Sequence, residues 1–493
     1  MRAPKFQVHV GDSIDFLRGL PDESVHAVVT DPPYGLSKHR QADVVACLQA
    51  WLAGQSYAPD GKTGFMGRAW DAWVPGPEVW REALRVLKPG GYALVFAGTR
   101  SMDLMSIALR LAGFELRDAI GNAHDDEAGD IETDGAALLA WVHGQGFPKS
   151  RNVAAEIDRL QGVEPTVVAH GRPVKRLIPG ATQNQSGSWI KDDGRIYVPR
   201  ELAATSDEAR AWEGFGTGLK PAWEPIIIAR KPLTGSIGRN VVQHGCGALN
   251  IEACRVEVED TAYERNCSGA RGHAGTRTTD ATGATMFRAG GGVPSGGRWP
   301  ANVVHDGSAA VLAGFPSNAG AHDMVRTRKS DKFRSTYGRF QGTQDAPGPF
   351  HGDGRGSAAR FFFCPKTKRV DRHEGVGDPG PQFRHGATLR DVERRLSIGE
   401  RRGNFHPTVK PTPLMRWLVR LVTPPGGTVV DMFAGSGSTG KAALLEGFNF
   451  LGGEADPSHV DIARARCAAA LEAYAAEVAA ESAAEPEQRE LFG

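Results

Sequence analysis

The chain has 493 residues, 40% hydrophobic and 23% charged, a globular balance long enough for two or three domains and a large buried core. The 58 Lys and Arg against 57 Asp and Glu leave a formal charge of +1, which does not by itself mark a nucleic-acid binder. No run approaches the ~18 apolar residues of a membrane span, and the six scattered cysteines contain no C-x-x-C pair. A membrane protein, a collagen and a disulfide scaffold are thereby ruled out, and neither a zinc knuckle nor another metal site is indicated. A cytoplasmic protein is expected.

Taken in order, Phe6–Val10 reads as a strand rather than a signal peptide, Ser13–Leu20 as a helix and Val25–Thr30 as a strand. The alternation continues with a helix at Pro77–Leu87, a strand at Tyr92–Ala97, a helix at Met102–Ala112 and a strand at Glu115–Ile120. From about 161 to 403 the pattern turns irregular, with short apolar pieces such as Pro225–Ala229 between polar, Gly-rich loops. It returns with a strand at Thr428–Phe433, a helix at Thr439–Glu446, a strand at Phe448–Gly453 and a helix at His459–Ala476. Strands alternating with helices of this length predict an α/β fold, a doubly wound and mostly parallel sheet. From about Ala475 the Ala/Glu-rich end is expected to fray.

The average charge hides an asymmetry. Residues 326–410 carry 19 Lys and Arg against 9 acids, whereas 121–140 carry six acids and no Lys or Arg. The basic block suggests a surface facing a polyanion, with a solvated loop as the equal alternative. The acidic stretch reads as a solvated loop.

Two motifs carry chemistry. Asp31-Pro32-Pro33-Tyr34 follows the strand Val25–Thr30. The carboxyl end of a parallel strand is where such sheets bind ligands. Two prolines fix φ and remove two backbone donors, leaving rigid carbonyl acceptors beside a carboxylate and a flat ring. Such a cluster suits an exocyclic NH2 group on a stacked base, although Asp-Pro and Pro-Tyr-Gly are also common turns. The second motif, Asp431-Met432-Phe433-Ala434-Gly435-Ser436-Gly437, joins a strand to a helix, and its glycines would let the backbone approach a nucleoside-like ligand. Glu454 ends the next strand, placed to accept ribose hydroxyls. Gly435 to Lys441 approaches a phosphate-binding loop, but Ala442 stands where that loop needs Ser or Thr.

Together these motifs resemble the S-adenosylmethionine-dependent DNA amino-methyltransferases of the N6-adenine/N4-cytosine family. The catalytic motif stands about 400 residues before the cofactor motif, an order similar to the permuted β group. Gly11-Asp12, Arg85–Gly91 and His406-Pro407-Thr408-Val409-Lys410-Pro411 resemble other segments of that family, and the whole looks like its stand-alone phage and prophage members. The resemblance implies a circularly permuted Rossmann-like sheet. Residues 1–160 would be its catalytic half, 161–403 a variable insertion with the target-recognition region, 404–474 the cofactor-binding half and 475–493 a tail. The two ends would join in one continuous sheet, with both termini at its middle.

By the same resemblance, Asp31, Pro32, Pro33 and Tyr34 are catalytic. Asp12, Thr408, Lys410, Asp431, Phe433, Ala434, Gly435, Gly437 and Glu454 would bind S-adenosylmethionine, Asp12 at its adenine end. Arg326, Arg328, Lys329 and Lys332 would contact phosphates of double-stranded DNA. His406 is read as structural ahead of a proton shuttle, and Phe361, Phe362 and Phe363 as core rather than intercalating. The implied activity is site-specific methylation of adenine N6, with cytosine N4 as the alternative and a catalytically silent DNA binder as a third reading. RNA and a protein glutamine amide are weaker acceptors on this reading. No Pro-Cys pair stands in the motif, which argues against cytosine C5 chemistry. The recognition sequence, a homodimer and a restriction endonuclease partner are left open by the sequence.

Overall fold

The computed structural model describes residues 3–64, 69–116, 138–144, 150–164, 166–170, 174–175, 196–197, 200–257, 278–279, 285–286, 297–317, 357–364, 370–376, 403–404, 406 and 408–490. Two compact units emerge, one made of Met1–Leu249 with Lys366–Gly493 and the other of Asn250–Pro365.

Among the described residues of the first unit, eight strands form one sheet: β1 (Phe6–Val10), β2 (Val25–Thr30), β3 (Leu87–Phe96), β4 (Glu115–Leu116), β5 (Leu138–Val142), β6 (Trp223–Arg230), β7 (Thr428–Asp431) and β8 (Asn449–Glu454). Their order is β1-β8-β7-β2-β3-β6-β5, with β4 also on β6. The first five are parallel, Phe6 facing Phe450 and Val430 facing Val28, and β6 runs antiparallel to β3. The C-terminal strands thus lie between β1 and β2, as a permuted sheet requires. The expectation of both chain ends at the middle is corrected: β1 pairs only with β8 in this order and occupies the outer position.

The largest departure from the sequence reading is β6. Pro225–Ala229 looked like a short apolar piece inside the variable insertion, yet it is the core of a central strand with Ile226, Ile227 and Ala229 buried. Buried on both faces, it shows no alternation to mark it. The insertion's compact part is accordingly Asn250–Pro365 rather than all of 161–403.

Strands β4 and β5 share one edge of β6, pairing Arg230 with Glu115 and Ile227 with Leu138. In sequence, residues 117–137 separate these two strands. Most of the acidic stretch lies outside the described residues, but Leu138–Ala140, expected in its loop, belong to β5.

Helices cover both faces. Pro77–Val86 opens with proline at its first position, where no N–H is missed, and Met102–Ala112 stops at Gly113 with φ 106°. Their buried Trp80, Ala83, Met105 and Leu109 pack with Val28, Val95 and Ile227 of the sheet. Each large side chain so buried contributes about 1.5–3 kcal/mol before ordering costs. The last helix runs unbroken over Pro457–Glu490, so no separate tail begins at 475. Its Ala- and Glu-rich sequence is strong helix former, which outweighs the lack of an apolar stripe.

In the second unit, Val256 and Arg298 exchange backbone hydrogen bonds, and Val304 bridges Phe363. Phe362 stacks 5.3 Å from Phe315, a packing role. Among the described residues, no helix is long and apolar enough to cross a membrane.

Candidate active site

The two motifs stand at the carboxyl ends of neighbouring parallel strands, β2 and β7. One buried carboxylate ties them together. Asp431 accepts from Thr30 Oγ1 at 2.7 Å, from Thr439 Oγ1 at 2.7 Å and from the Phe433 amide at 3.0 Å. The residue before Asp31 is thus fastened to the strand that launches the glycine loop. Burial raises the Asp431 carboxyl to about 6.

That shift predicts a pH dependence of stability. Folding raises the pKa from 3.8 to about 6, so between these values the native chain keeps a proton that the unfolded chain releases. The stabilising contribution is full below the lower value, declines across the window and is gone above the upper one. Urea unfolding of the parent and of Asp431→Asn at several pH values checks this. The difference in stability between them should fall as pH rises through that window, and a constant difference would contradict it.

Asp31 is mostly buried and sits in a four-membered cluster. The Tyr34 hydroxyl donates to Asp31 Oδ1 at 2.7 Å and lies 3.4 Å from Glu224 Oε2. Lys410 Nζ stands 3.3 Å from Asp31 Oδ1, 2.8 Å from Glu224 Oε2 and 3.0 Å from the Tyr34 oxygen. It also lies 4.5 Å from the Phe96 ring centre, and His143 Nε2 is 4.0 Å from the other Glu224 oxygen. Burial holds the Asp31 carboxyl above the usual carboxylate range, with Lys410 opposing and Glu224 adding to the rise. For Glu224, burial pushes upward, but Lys410 outweighs it and the carboxyl falls below its ordinary value.

The turn after Asp31 is fixed from behind. Asp71 accepts from the backbone amides of Tyr34 at 2.8 Å, Gly35 at 3.0 Å and Leu36 at 3.3 Å. Ser101 Oγ donates to the Tyr34 carbonyl. Pro32 is buried, and Pro33 and Tyr34 half-buried, so the motif is a rigid shelf rather than a free turn.

Glu454 closes the glycine loop: one oxygen accepts from the Gly435 amide and the other from the Asp456 amide, both at 2.9 Å. Asp12 lies at the end of the adjacent β1, where its side chain caps the Ser13–Arg18 helix through Ile14 N at 2.8 Å. Phe433 is half-buried and Ala434 buried.

The glycines serve packing more than expected. Gly437 has φ 76°, and a Cβ there would meet Ala463 Cα at 2.9 Å, in the following helix. Gly435 has φ 51°, and its Cβ would meet His406 Nε2 at 2.8 Å. His406 meets His459 edge-on at 4.5 Å, and burial lowers it well below its ordinary pKa, leaving a neutral ring.

Beneath the loop, buried Arg466 donates to Ser436 O at 2.6 Å, Ser436 Oγ at 3.0 Å and Asp371 O at 3.1 Å. Lys441 is paired with Glu374 and lies 3.5 Å from Asp371. The lysine of the near phosphate-loop match is therefore committed to two acids and does not face a phosphate.

Of the residues read from sequence, Asp31 to Tyr34, Asp431, Phe433 to Gly437 and Glu454 gather along two strand ends and their neighbour. Lys410, assigned to the cofactor, lies instead against Asp31, and Thr408 is exposed with its amide 3.3 Å from His406 Nδ1. Arg326, Arg328, Lys329 and Lys332 lie outside the described residues. Glu224, His143, Phe96 and Asp71 were missed. Glu224 alone left a signal, a carboxylate abutting the buried run Pro225–Ala229. Asp71 holds the turn through backbone amides far from it in sequence.

Residues 328–465, which hold the glycine loop and both strands flanking it, match the DNA methylase family. Over those residues the chain is similar to the N6/N4-type DNA methylases. Among curated relatives, it is 21% identical over 262 residues to the type II methyltransferase M.HindIII of Haemophilus influenzae, covering 49% of this chain and 64% of that protein. It is 37% identical over 112 residues to M2.DpnII of Streptococcus pneumoniae, covering 22% and 42%. Over 62 residues it is 40% identical to M.BglI of Bacillus subtilis, covering 13% and 18%. In each case the chain spans less than two thirds of the relative. Among solved structures, the PvuII DNA methyltransferase (cytosine-N4-specific) aligns with TM-score 0.35 and 11% identity over 94% of this chain and 86% of that one. A superposition this shallow establishes no shared geometry. The methylase match ends short of the Asp31 shelf, which is joined to it by the Thr30–Asp431 hydrogen bond.

Proposed function

We propose that the chain transfers a methyl group from S-adenosylmethionine to the exocyclic N6 of adenine in double-stranded DNA. The observation that carries this reading is the junction made by Asp431, which sets an acceptor shelf and a nucleoside-type loop side by side. The donor set fits a cationic, phosphate-free adenosine ligand. Glu454 and Asp12 stand as carboxylates at adjacent strand ends, while Lys441 and Arg466 are turned away into buried pairings. A phosphate-binding loop of the P-loop type would instead aim its lysine at the ligand.

Glu454 would accept from ribose hydroxyls, Asp12 would flank the adenine end, and Phe433 would lend an apolar face. When bound, the cofactor supplies an electrophilic methyl on a sulfonium, which calls for no metal and no covalent enzyme intermediate. The target amine is a poor nucleophile because its lone pair is delocalised into the ring. Asp31 and the Pro32 carbonyl would accept its two N–H bonds and favour a tetrahedral nitrogen. Fixed acceptors aimed where positive charge develops stabilise the transition state without reorganising. Tyr34 would stack on a base turned out of the duplex, since the amine cannot be reached inside it.

Cytosine N4 is the second reading, since the same acceptors serve it; aspartate rather than serine at 31 leans toward adenine by family resemblance. Modification-sensitive sequencing of DNA from cells expressing the chain tests both, and gives base and sequence context together. Unmodified DNA would leave a silent DNA-binding protein.

The basic block is the proposed phosphate-facing surface. Neutralising Arg326, Arg328, Lys329 and Lys332 together should weaken binding to all duplexes alike. The log–log salt slope should flatten by about 0.9 for each phosphate no longer neutralised. The methylated sequence should not change, because side chains on phosphates position the protein without reading bases. An unaltered slope in binding titrations at several salt concentrations would return the block to a solvated loop.

A further inference from the structure

Lys410 is the hub of the Asp31 cluster, with its side chain 11% exposed and its ammonium within 3.3 Å of Asp31, Tyr34 and Glu224 oxygens. We propose that Lys410 is a positioning residue that keeps Asp31 a hydrogen-bond acceptor, with Glu224 the second anion that fixes the ammonium in place. The inference rests on the reading of Asp31 as the acceptor for the target amine.

The chemistry is a matter of proton inventory. An ionised carboxylate only accepts, whereas a protonated one carries an O–H and can no longer take both roles at that oxygen. Asp31 is mostly buried, which favours its neutral, useless form. Lys410 arrives from the segment before the Thr412–Val422 helix and supplies the opposing charge. Glu224, from β6, balances the excess. Burial alone would lower Lys410, yet Asp31 and Glu224 hold it above its ordinary value, so it stays an ammonium. The other titratable groups facing the cluster are the Tyr34 hydroxyl, His143 beyond Glu224, and Asp431 behind Thr30. Without Lys410, Asp31 and Glu224 become two partly buried carboxylates about the Tyr34 hydroxyl, an arrangement that favours sharing one proton.

The sign of the effect separates this from a merely structural role. Removing the cation should raise the acid limb of activity, and removing the anion should lower it. Single-turnover methylation of duplex DNA by the full chain, followed across the acid and neutral range, reads the limb directly. Lys410→Met should move it upward by about 1–3 pH units, the range set by a close opposite charge. Glu224→Gln should move it downward, and the double variant should return toward the parent. Calorimetry should show S-adenosylmethionine affinity not weakened in Lys410→Met, which distinguishes this role from direct cofactor binding.

A uniform loss of rate with an unmoved limb in Lys410→Met, or an upward shift in Glu224→Gln, would overturn the proposal. Should Lys410→Met fail to fold, the direction in Glu224→Gln decides alone. A parent chain that binds cofactor but methylates nothing at any pH would overturn the reading of Asp31 itself, and the proposal with it.

Discussion

Replacing Asp31 with alanine is expected to lower methyl transfer by about a hundred- to a thousandfold, the cost of deleting one preorganised charge-stabilising group. Cofactor affinity should be retained. The separation follows from where the carboxylate stands. Asp31 shares its hydrogen bonds with Tyr34 and Lys410, while the glycine loop is closed by Glu454 and anchored by Asp431. The alanine also frees the Tyr34 hydroxyl and leaves Lys410 paired with Glu224 alone, so the shelf keeps its packing and loses its acceptor. Single-turnover rates with saturating DNA, alongside calorimetric cofactor titration, check both halves. Activity above a tenth of the parent would remove Asp31 from the chemistry.

Gly437→Val is expected to destabilise the fold around the glycine loop before it weakens any ligand. A residue with a side chain at φ 76° is strained by about 1–2 kcal/mol. The new Cβ would also press on the Ala463 backbone from 2.9 Å, and overpacking of this kind costs about 1–3 kcal/mol more. The Ser438–Leu445 helix and the long C-terminal helix would have to part, carrying the loop with them. The urea midpoint of the ligand-free protein should therefore fall, and cofactor binding should be lost as a consequence. If Gly437 served only to admit the ligand, the ligand-free midpoint would stay unchanged while affinity dropped. The two measurements together decide between those accounts.

Much of the sheet was legible because periodicity and turn chemistry agree. Phe6–Val10, Val25–Thr30 and Met102–Ala112 have the bounds the sequence predicts, whereas the strand predicted at Tyr92–Ala97 begins at Leu87 and the helix predicted at His459–Ala476 runs to Glu490. The two motifs announced themselves through proline and glycine, whose backbone constraints are local. What stayed hidden is what tertiary structure alone creates. Strand β6 carries no alternation because both faces are buried, so its residues read as an irregular segment. Glu224 lies 193 positions from Asp31, and Lys410 stands 379 positions away. Their meeting needs β6 beside β3, and β7 between β8 and β2. Lys410 was attached to the cofactor by the company of Thr408 in sequence, whereas its long side chain reaches the shelf instead. Gly437 was credited with admitting a ligand, because the helix that presses on it begins only after the next strand.

The most direct test of the account is the chemical position of the transferred methyl. The purified chain should be incubated with isotopically labelled S-adenosylmethionine and mixed-sequence duplex DNA, and the DNA then digested to nucleosides for mass spectrometry. The acceptor shelf of Asp31 and Pro32 predicts label on an exocyclic amino nitrogen, as N6-methyladenine. Label on cytosine C5, or DNA without label while the cofactor binds, would contradict it.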